Sequence, residues 1–180
     1  FNPLTLALGA GATFIARTID KESKHMQEMI TESYNHKGTS FLEIYQNCNI
    51  FNDGAYSDFT DRDTKSDTVL WLKDGEPMVF GADSNKGIRL DGNIPTVVEL
   101  GDKWSKDDLL IHNKRDYMIA SMLSNMTSKP ETPEPIGVLY AIDAPTYEDN
   151  ISNQIKSAID IKPKGSIQDI INSGDTWVVK

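Results

Sequence analysis

The chain has 180 residues, a length that suits one domain or one compact lobe with an appendage. Its formal net charge of -9 argues against nucleic acid or an anionic membrane as a partner, because both are bound through Lys and Arg. No stretch approaches ~18 consecutive apolar residues, and no charged segment followed by an apolar core opens the chain. We therefore predict neither a transmembrane helix nor a signal peptide.

The cysteine content bears on the cellular location of the chain, and the first residue bears on whether it is part of a longer protein. Cys48 is the one cysteine, so no internal disulfide can form. This fits the reducing cytoplasm, where we expect the protein to be located. The chain begins with Phe1 rather than Met. We expect it to be a piece of a longer protein.

The first fifty residues predict a strand–helix–strand unit. Residues 3–10 are typical of a short helix, with Pro3 in its first turn. Residues 13–19 are rich in strand formers, and residues 40–45 predict a second strand after the next helix. A unit of this kind forms a right-handed crossover between parallel strands, in a sheet that is covered on both faces. One unit is too small for a whole sheet, so further strands are required from elsewhere.

The helix between these strands has a predicted start, end and inward face. We expect Asp20 to cap its first turn and Gly38 to end it. Apolar residues at spacings of three and four predict the inward face. These residues are Met26, Met29, Ile30 and Tyr34.

The middle of the chain predicts a long polar loop followed by short strands. Residues 52–68 are almost all polar and indicate a surface loop. Asp74-Gly75 and Asp91-Gly92 are turn signals between the strands that follow. We predict a small antiparallel meander, with strands at residues 68–72, 77–80, 87–90 and 96–100.

The remainder predicts mostly helices. Residues 104–112 are ambiguous, because Ser105 and Asp108 resemble a capping box while the next residues favour a strand. We predict a helix over 116–126, a proline-rich linker over 129–135 and a strand over 136–142. Thr146 and Ser166 are expected to cap two further helices, the first of which would turn Tyr147, Ile151, Ile155 and Ala158 inward. The predicted fold class is α/β: a partial doubly wound parallel sheet with a small β-meander and a helical C-terminal extension.

Cys48 is the main candidate for chemistry. It follows the predicted strand 40–45, and open α/β sheets place ligand sites at the carboxyl ends of their strands. Backbone N–H groups of the polar segment around it can bond a thiolate or a cluster sulfide. The alternative is a buried, inert cysteine. An iron–sulfur cluster needs several thiolates, so any cluster here has to take the others from outside these residues.

Other polar residues give weaker signals. His25 and His36, predicted on one helix, are separated by roughly 16 Å at about 1.5 Å per residue, too far to share a metal. No metal-ligand spacing involves these histidines or His112. The glycines of Gly9-Ala10-Gly11 precede a strand, whereas dinucleotide-binding glycines follow one, so we interpret them as a helix exit.

Two charged segments are further candidates for a binding site. Asp83, Lys86, Arg89 and Asp91 indicate either a solvated hairpin or a contact for an anion or a subunit. The second segment lacks the glycine and terminal glutamate of a calcium loop, and we interpret it as a solvated loop. Its carboxylates are Asp58, Asp61, Asp63 and Asp67.

Several segments together resemble the β subunits of 2-oxoacid:ferredoxin oxidoreductases. They lie in order along nearly the whole chain. Those of the first half are residues 2–17, Lys24-His25-Met26, His36-Lys37-Gly38 and residues 43–52. The longer bacterial subunits of the 2-oxoglutarate type are similar further on, at residues 79–83, 86–92, 145–149 and 173–177.

This resemblance implies a thiamine diphosphate-binding fold and an enzyme that oxidatively decarboxylates a 2-oxoacid, most closely 2-oxoglutarate. The complete enzyme would form an acyl-CoA and pass electrons singly through a [4Fe-4S] cluster to ferredoxin. Cys48 matches the last of the four cluster cysteines. The first three, and the Gly-Asp-Gly segment that holds Mg²⁺ and the diphosphate, are absent from these residues. We therefore expect no cofactor to bind this chain alone, and we assign it no catalytic residue.

The resemblance also implies partners and a division of the chain. We expect residues 1–55 to be the C-terminal portion of the thiamine diphosphate-binding domain and residues 56–180 to be a C-terminal extension. Expected partners are the α subunit, the N-terminal part of the β subunit and ferredoxin, with CoA and the 2-oxoacid as substrates. Two alternatives remain: a non-catalytic assembly or interaction domain of the same fold, and a thiol enzyme that uses Cys48 with a histidine.

Overall fold

A computed structural model of the protein describes residues 1–126, 131–162 and 165–179. The chain divides into two units, Phe1–Ala144 and Pro145–Lys180. Among the described residues, those that form the buried cores all lie in the first unit, which also contains both sheets. None of the helices in the described part of the chain combines the length and apolar character needed to cross a membrane.

The predicted strand–helix–strand unit is present. Helix α1 (Pro3–Gly9) leads into strand β1 (Phe14–Ile19), and helix α2 (Ser23–Asn35) connects it to strand β2 (Ser40–Tyr45). The two strands are parallel, with Phe14 opposite Ser40 and Ile19 opposite Tyr45. In α1 the Asn2 side chain accepts a hydrogen bond from the backbone N–H of Thr5, which caps the helix.

The predicted start and inward face of α2 are partly wrong. Glu22, not Asp20, is the N-cap residue, and it makes no side-chain capping bond. Of the four predicted inward residues only Met29 is buried, while Ile30 and Tyr34 are exposed. His36 lies outside the helix because its backbone is extended, so it does not share a helical stripe with His25.

Strand β3 (Val69–Trp71) and strand β7 (Glu134–Ala141) join β1 and β2 in the main sheet. The strand order is β2-β1-β7-β3, so β2 and β3 are the edge strands. Strand β7 runs antiparallel to β1, and β3 runs parallel to β7. The α/β class is thus confirmed in a mixed sheet. The predicted linker 129–135 is wrong at its end, because Glu134 and Pro135 belong to β7; residues 129 and 130 lie outside the described part.

The two faces of this sheet carry separate apolar cores. On one face Ile15 and Leu139 pack with α1 and with α5 (Tyr117–Ser124), through Leu8 and Leu123. On the other face α2 packs through Met29 against a cluster that contains Phe14, Ala16 and Val138. Alternate residues of each strand therefore point to opposite faces, as expected for a covered sheet.

The small antiparallel sheet has three strands rather than the predicted four. It consists of β4 (Val79–Phe80), β5 (Lys86–Asp91) and β6 (Ile94–Glu99). The predicted strand at 68–72 joins the main sheet as β3. The capping box of Ser105 and Asp108 is confirmed, and it opens a 3₁₀ turn at Lys106–Asp108. Residues 52–68, predicted as a loop, contain two single-turn helices, α3 (Ser57–Thr60) and α4 (Lys65–Thr68).

The second unit contains helix α6 (Tyr147–Ile161) and helix α7 (Ile167–Ile171). Capping boxes at Thr146 and Ser166 confirm both predicted starts. The predicted burial of one face of α6 is wrong, because no residue of this helix is buried. Amphipathic spacing alone shows which face is apolar and does not supply a surface to cover it.

Candidate functional site

Cys48 lies just beyond the carboxyl ends of two parallel strands. The last residues of β1 and β2, Ile19 and Tyr45, are paired. Asp20 extends this pairing, since its backbone N–H donates to the Tyr45 carbonyl oxygen at 3.0 Å. The position predicted for Cys48 at the sheet edge is therefore the one observed, as expected for a site in an α/β sheet.

A tight turn surrounds the sulfur with backbone donors. The N–H of Asn52 donates to the carbonyl oxygen of Cys48 at 2.9 Å and closes the turn. Backbone N–H groups of Phe51, Ile50 and Asn52 hydrogen-bond the sulfur and lower the pKa of the Cys48 thiol. These donors favour the thiolate, which is the form that ligates metals and acts as a nucleophile.

Asn47 holds this turn in place. Its side-chain N–H₂ donates to Asn49 at 2.7 Å and to Asp53 at 2.9 Å, and its side-chain oxygen accepts from the backbone N–H of Gly54 at 2.9 Å. Its backbone N–H also donates to the Asp20 carboxylate at 3.4 Å. One amide side chain thus links both ends of the segment that contains the cysteine.

The sulfur is accessible rather than sealed in the core. Cys48 is half-buried, and its neighbours Ile50 and Phe51 are 84% and 88% exposed. The alternative of a cysteine buried among aliphatic side chains does not describe this site. Two adjacent apolar side chains in water indicate a surface suited to contact with another polypeptide.

Beneath the turn lies a buried polar cluster that the sequence did not reveal. The Arg17 guanidinium donates to the carboxylate of Glu43 at 2.6 Å and to that of Glu134, which also accepts from the hydroxyl of Tyr45 at 3.0 Å. Arg17 and Glu134 are almost fully buried. The Tyr45 ring stacks on Tyr56 at 4.3 Å. This cluster fixes the end of β2, three residues before Cys48.

The predicted alternative sites lie elsewhere. His25 and His36 hydrogen-bond the hydroxyls of Thr18 and Thr13, and His112 bonds the carbonyl oxygen of Val138. Within the described ranges no group of three metal-ligating side chains converges. In the hairpin segment, Lys86 pairs with Asp67 and Arg89 lies over Trp104. Signals for these pairings were absent from the sequence, since the partners are distant along the chain.

Comparison with known proteins bears on the whole chain. The 2-oxoglutarate oxidoreductase subunit KorB of Mycobacterium tuberculosis is 32% identical over 99% of this chain. A 2-oxoacid:ferredoxin oxidoreductase β subunit of Saccharolobus solfataricus is 26% identical over 90% of it. The chain is a relative of 2-oxoacid:ferredoxin oxidoreductase β subunits. This confirms the resemblance found in the sequence. No protein-family model matches the chain.

A solved structure supports the same fold. A 2-oxoglutarate:ferredoxin oxidoreductase from Magnetococcus marinus, with 2-oxoglutarate, coenzyme A and succinyl-CoA bound, matches with a TM-score of 0.61 and 20% identity. The match covers 98% of this chain and 45% of that one. The chain spans about half the length of the curated relatives it matches, 48% of the first and 43% of the second. The similarity therefore concerns about half of a β subunit of this kind.

Proposed function

We propose that the chain forms part of the β subunit of an enzyme that oxidatively decarboxylates a 2-oxoacid to an acyl-CoA and reduces ferredoxin. 2-Oxoglutarate is the proposed substrate. Two relatives support it: the Mycobacterium tuberculosis subunit carries this substrate in its name, and the Magnetococcus marinus enzyme has it bound. The proposed partners are an α subunit, the remainder of a β subunit and ferredoxin, in the cytoplasm.

Within this enzyme, we assign Cys48 as one ligand of a [4Fe-4S] cluster. The observation that supports the assignment is the accessible sulfur with three backbone N–H donors around it. Such donors stabilise the negative charge of a ligating thiolate and, through it, tune the potential of a cluster. A cluster supplies one-electron transfer when it is bound. The side chains of this chain fit it as a partial site, with three further thiolates required from outside these residues.

Thiamine diphosphate and Mg²⁺ are proposed cofactors of the complete enzyme, held by residues beyond this chain. We retain the proposal that residues 1–55 belong to the thiamine diphosphate-binding domain and residues 56–180 to an extension. Strands of both parts share one sheet, since β3 and β7 continue the sheet that β1 and β2 begin. The extension therefore contributes to the body that positions Cys48.

The assignment of Cys48 is tested in the assembled enzyme. The chain is co-expressed with the N-terminal part of the β subunit and with the α subunit, and iron content and the EPR signal of the reduced state are recorded. Cys48→Ala is expected to lose the cluster signal. Cys48→Ser is expected to lose it too, because the hydroxyl can accept the same N–H bonds but is a poor ligand for this iron.

Ile94→Ala is the matched control, since it changes an exposed isoleucine of the small sheet, outside the Cys48 turn, and keeps the sulfur. It is expected to keep the iron content and the EPR signal of the unmodified enzyme. Full iron content with an unchanged signal in Cys48→Ala would refute the ligand role. A complete assembly without iron in the unmodified chain would favour a non-catalytic assembly domain instead.

A further inference from the structure

A groove of about 410 Å³ lies on the sheet face that α2 covers, away from the Cys48 turn. This volume is within the range of small-molecule sites. Its lining comes from α2, from the end of β3 with the turn that follows it, and from His112 with the adjoining part of β7. Its titratable and aromatic lining residues include His25, Glu28, Glu32, Trp71 and His112.

His112 contributes an acceptor that has no donor. Its Nε2 lies 2.8 Å from the carbonyl oxygen of Val138. A carbonyl oxygen only accepts, so Nε2 carries the hydrogen, and Nδ1 of the neutral ring is then an acceptor. Nδ1 is buried and has no hydrogen-bond partner among the residues that the structure describes. An unsatisfied buried acceptor costs about 1–3 kcal/mol.

Trp71 contributes an aromatic surface. The residue is 36% exposed, and the His25 ring meets it in a T-shaped arrangement at 5.1 Å. His25 is itself held by a 2.8 Å hydrogen bond between its Nδ1 and the Thr18 hydroxyl. The His25 ring therefore packs against one side of the indole. Among aromatic side chains an indole attracts cations most strongly.

The uncompensated charge of the groove is negative. Glu28 and Glu32 lie one turn apart on α2, and neither forms an ion pair with any residue in the described ranges. The two lysines of the lining are already paired, Lys114 with Asp74 at 3.8 Å and Lys73 with Glu76 at 3.5 Å. Two free carboxylates beside an indole favour a cationic ligand.

We propose that this groove binds a guanidinium group. The groove offers two carboxylates and an aromatic surface, beside the buried ring of His112. A guanidinium is planar and permanently charged, has five N–H donors and no acceptor, and stacks on aromatic rings. It can satisfy carboxylates in a bidentate manner, which the point charge of an ammonium group cannot do. The source is either an arginine side chain of another protein or a free guanidinium compound. The proposal does not depend on the role of Cys48.

The proposal is tested by titrating the chain with N-acetyl-L-arginine amide and following the Trp71 indole N–H and the His112 ring nitrogens by NMR. Saturable shifts of both signals are expected. N-acetyl-L-citrulline amide, which has nearly the same shape without the charge, is expected to produce none. Equal binding of the two probes, or no saturable binding of the arginine probe, would overturn the proposal.

Two double variants locate the site. Glu28→Gln with Glu32→Gln is expected to weaken binding of the arginine probe at least about tenfold, because it removes both free charges. Asp83→Asn with Asp102→Asn makes the same change of net charge at exposed positions outside the groove and is expected to leave binding unchanged. Equal affinities in the two double variants would refute this location.

A further comparison distinguishes the two sources. An acetylated and amidated Gly-Arg-Gly peptide presents the guanidinium as a protein would, whereas free L-arginine carries its own α-amino and α-carboxyl charges. Tighter binding of the peptide would support the proposal with a protein side chain as the ligand. Tighter binding of free L-arginine would support it with a small molecule.

Discussion

The buried cluster around Arg17 and the exposed turn around Cys48 both adjoin the end of β2, yet they hold charge in different ways. In the cluster, the buried guanidinium of Arg17 pairs with the carboxylates of Glu43 and Glu134. In the turn, uncharged backbone N–H groups stabilise a sulfur that remains accessible. A buried charge needs a fixed partner, whereas an accessible one can keep its reactivity. The first arrangement serves structure and the second leaves a group available for chemistry.

Arg17→Met is expected to cause the largest decrease in the free energy of unfolding. The substitution removes the guanidinium that pairs with the buried carboxylate of Glu134, and breaking a buried pair in this way costs about 3–5 kcal/mol. Urea unfolding should show this loss in the free energy of unfolding. Lys21→Met, which removes the exposed Lys21–Asp61 pair at 3.4 Å, should cost at most about 1 kcal/mol.

The double variant Arg17→Met with Glu134→Leu separates burial of charge from loss of packing. Removing both charges should recover much of the stability lost in Arg17→Met, because no unpaired carboxylate then remains at position 134. A double variant as unstable as the single one would show that the shape of the guanidinium matters more than its charge.

Tyr45→Phe is expected to have the next largest effect. It removes the hydroxyl that donates to Glu134 at 3.0 Å and keeps the ring that stacks on Tyr56. A hydrogen bond to a charged group contributes about 1.5–3 kcal/mol, and the free energy of unfolding should fall by about that much. Tyr34→Phe, at a side chain that is 87% exposed, is the control and should be neutral. Equal effects would contradict the special role of the buried hydroxyl.

The features that could be predicted from the sequence are those formed by residues close together along the chain. Several local signals are confirmed: the polar segment around Cys48 forms a turn after a strand, and the capping boxes at Thr146 and Ser166 are present. Each depends on residues close together along the chain. The parallel pairing of β1 and β2 also followed from a short connection.

Long-range pairings could not be predicted in this way. Glu134 lies 117 residues from Arg17, and nothing near either residue indicates the other. The antiparallel direction of β7 was likewise invisible, because an apolar run of residues carries no sign of its neighbour in a sheet. The groove on the α2 face joins residues from four parts of the chain and was missed for the same reason.

His112 and Cys48 both have a lowered pKa, but the physical causes are opposite. Burial lowers the pKa of His112 by opposing its charged form, whereas N–H donors lower the pKa of Cys48 by favouring its charged form. Because the folded state holds His112 neutral below the pKa of the unfolded chain, stability should fall as pH drops from that value through the folded pKa. The slope is at most about 1.4 kcal/mol per pH unit.

Urea unfolding between neutral and mildly acidic pH measures this slope. His112→Gln can still donate to the Val138 carbonyl, because its amide nitrogen corresponds to Nε2, but it does not titrate, so its slope should be shallower than that of the unmodified chain. Titration of the histidine ring nitrogens by NMR separates His112 from His25 and His36. An unchanged slope in His112→Gln would exclude His112 as its source.

Asn47→Ala is expected to have the smallest effect on stability of these substitutions. Its main effect should be on the pKa of the Cys48 thiol. The Asn47 amide makes three hydrogen bonds in an exposed turn, and without them the turn no longer directs its backbone N–H groups at the sulfur. The pKa of the Cys48 thiol should therefore rise toward its ordinary value. The fraction of thiolate at a given pH below that value should decrease.

The pH profile of alkylation by iodoacetamide reports this change. The midpoint of the profile should lie below that of a free cysteine in the unmodified chain and move to higher pH in Asn47→Ala. Asn93→Ala, at an exposed turn of the small sheet, is the matched control and should keep the original midpoint. A midpoint in the unmodified chain equal to that of a free cysteine would contradict the stabilisation of the thiolate by the turn. If iodoacetamide alkylates Cys48 no faster than a free thiol, the thiol-enzyme alternative is disfavoured. Metal ligation would then be the remaining proposed role of this sulfur.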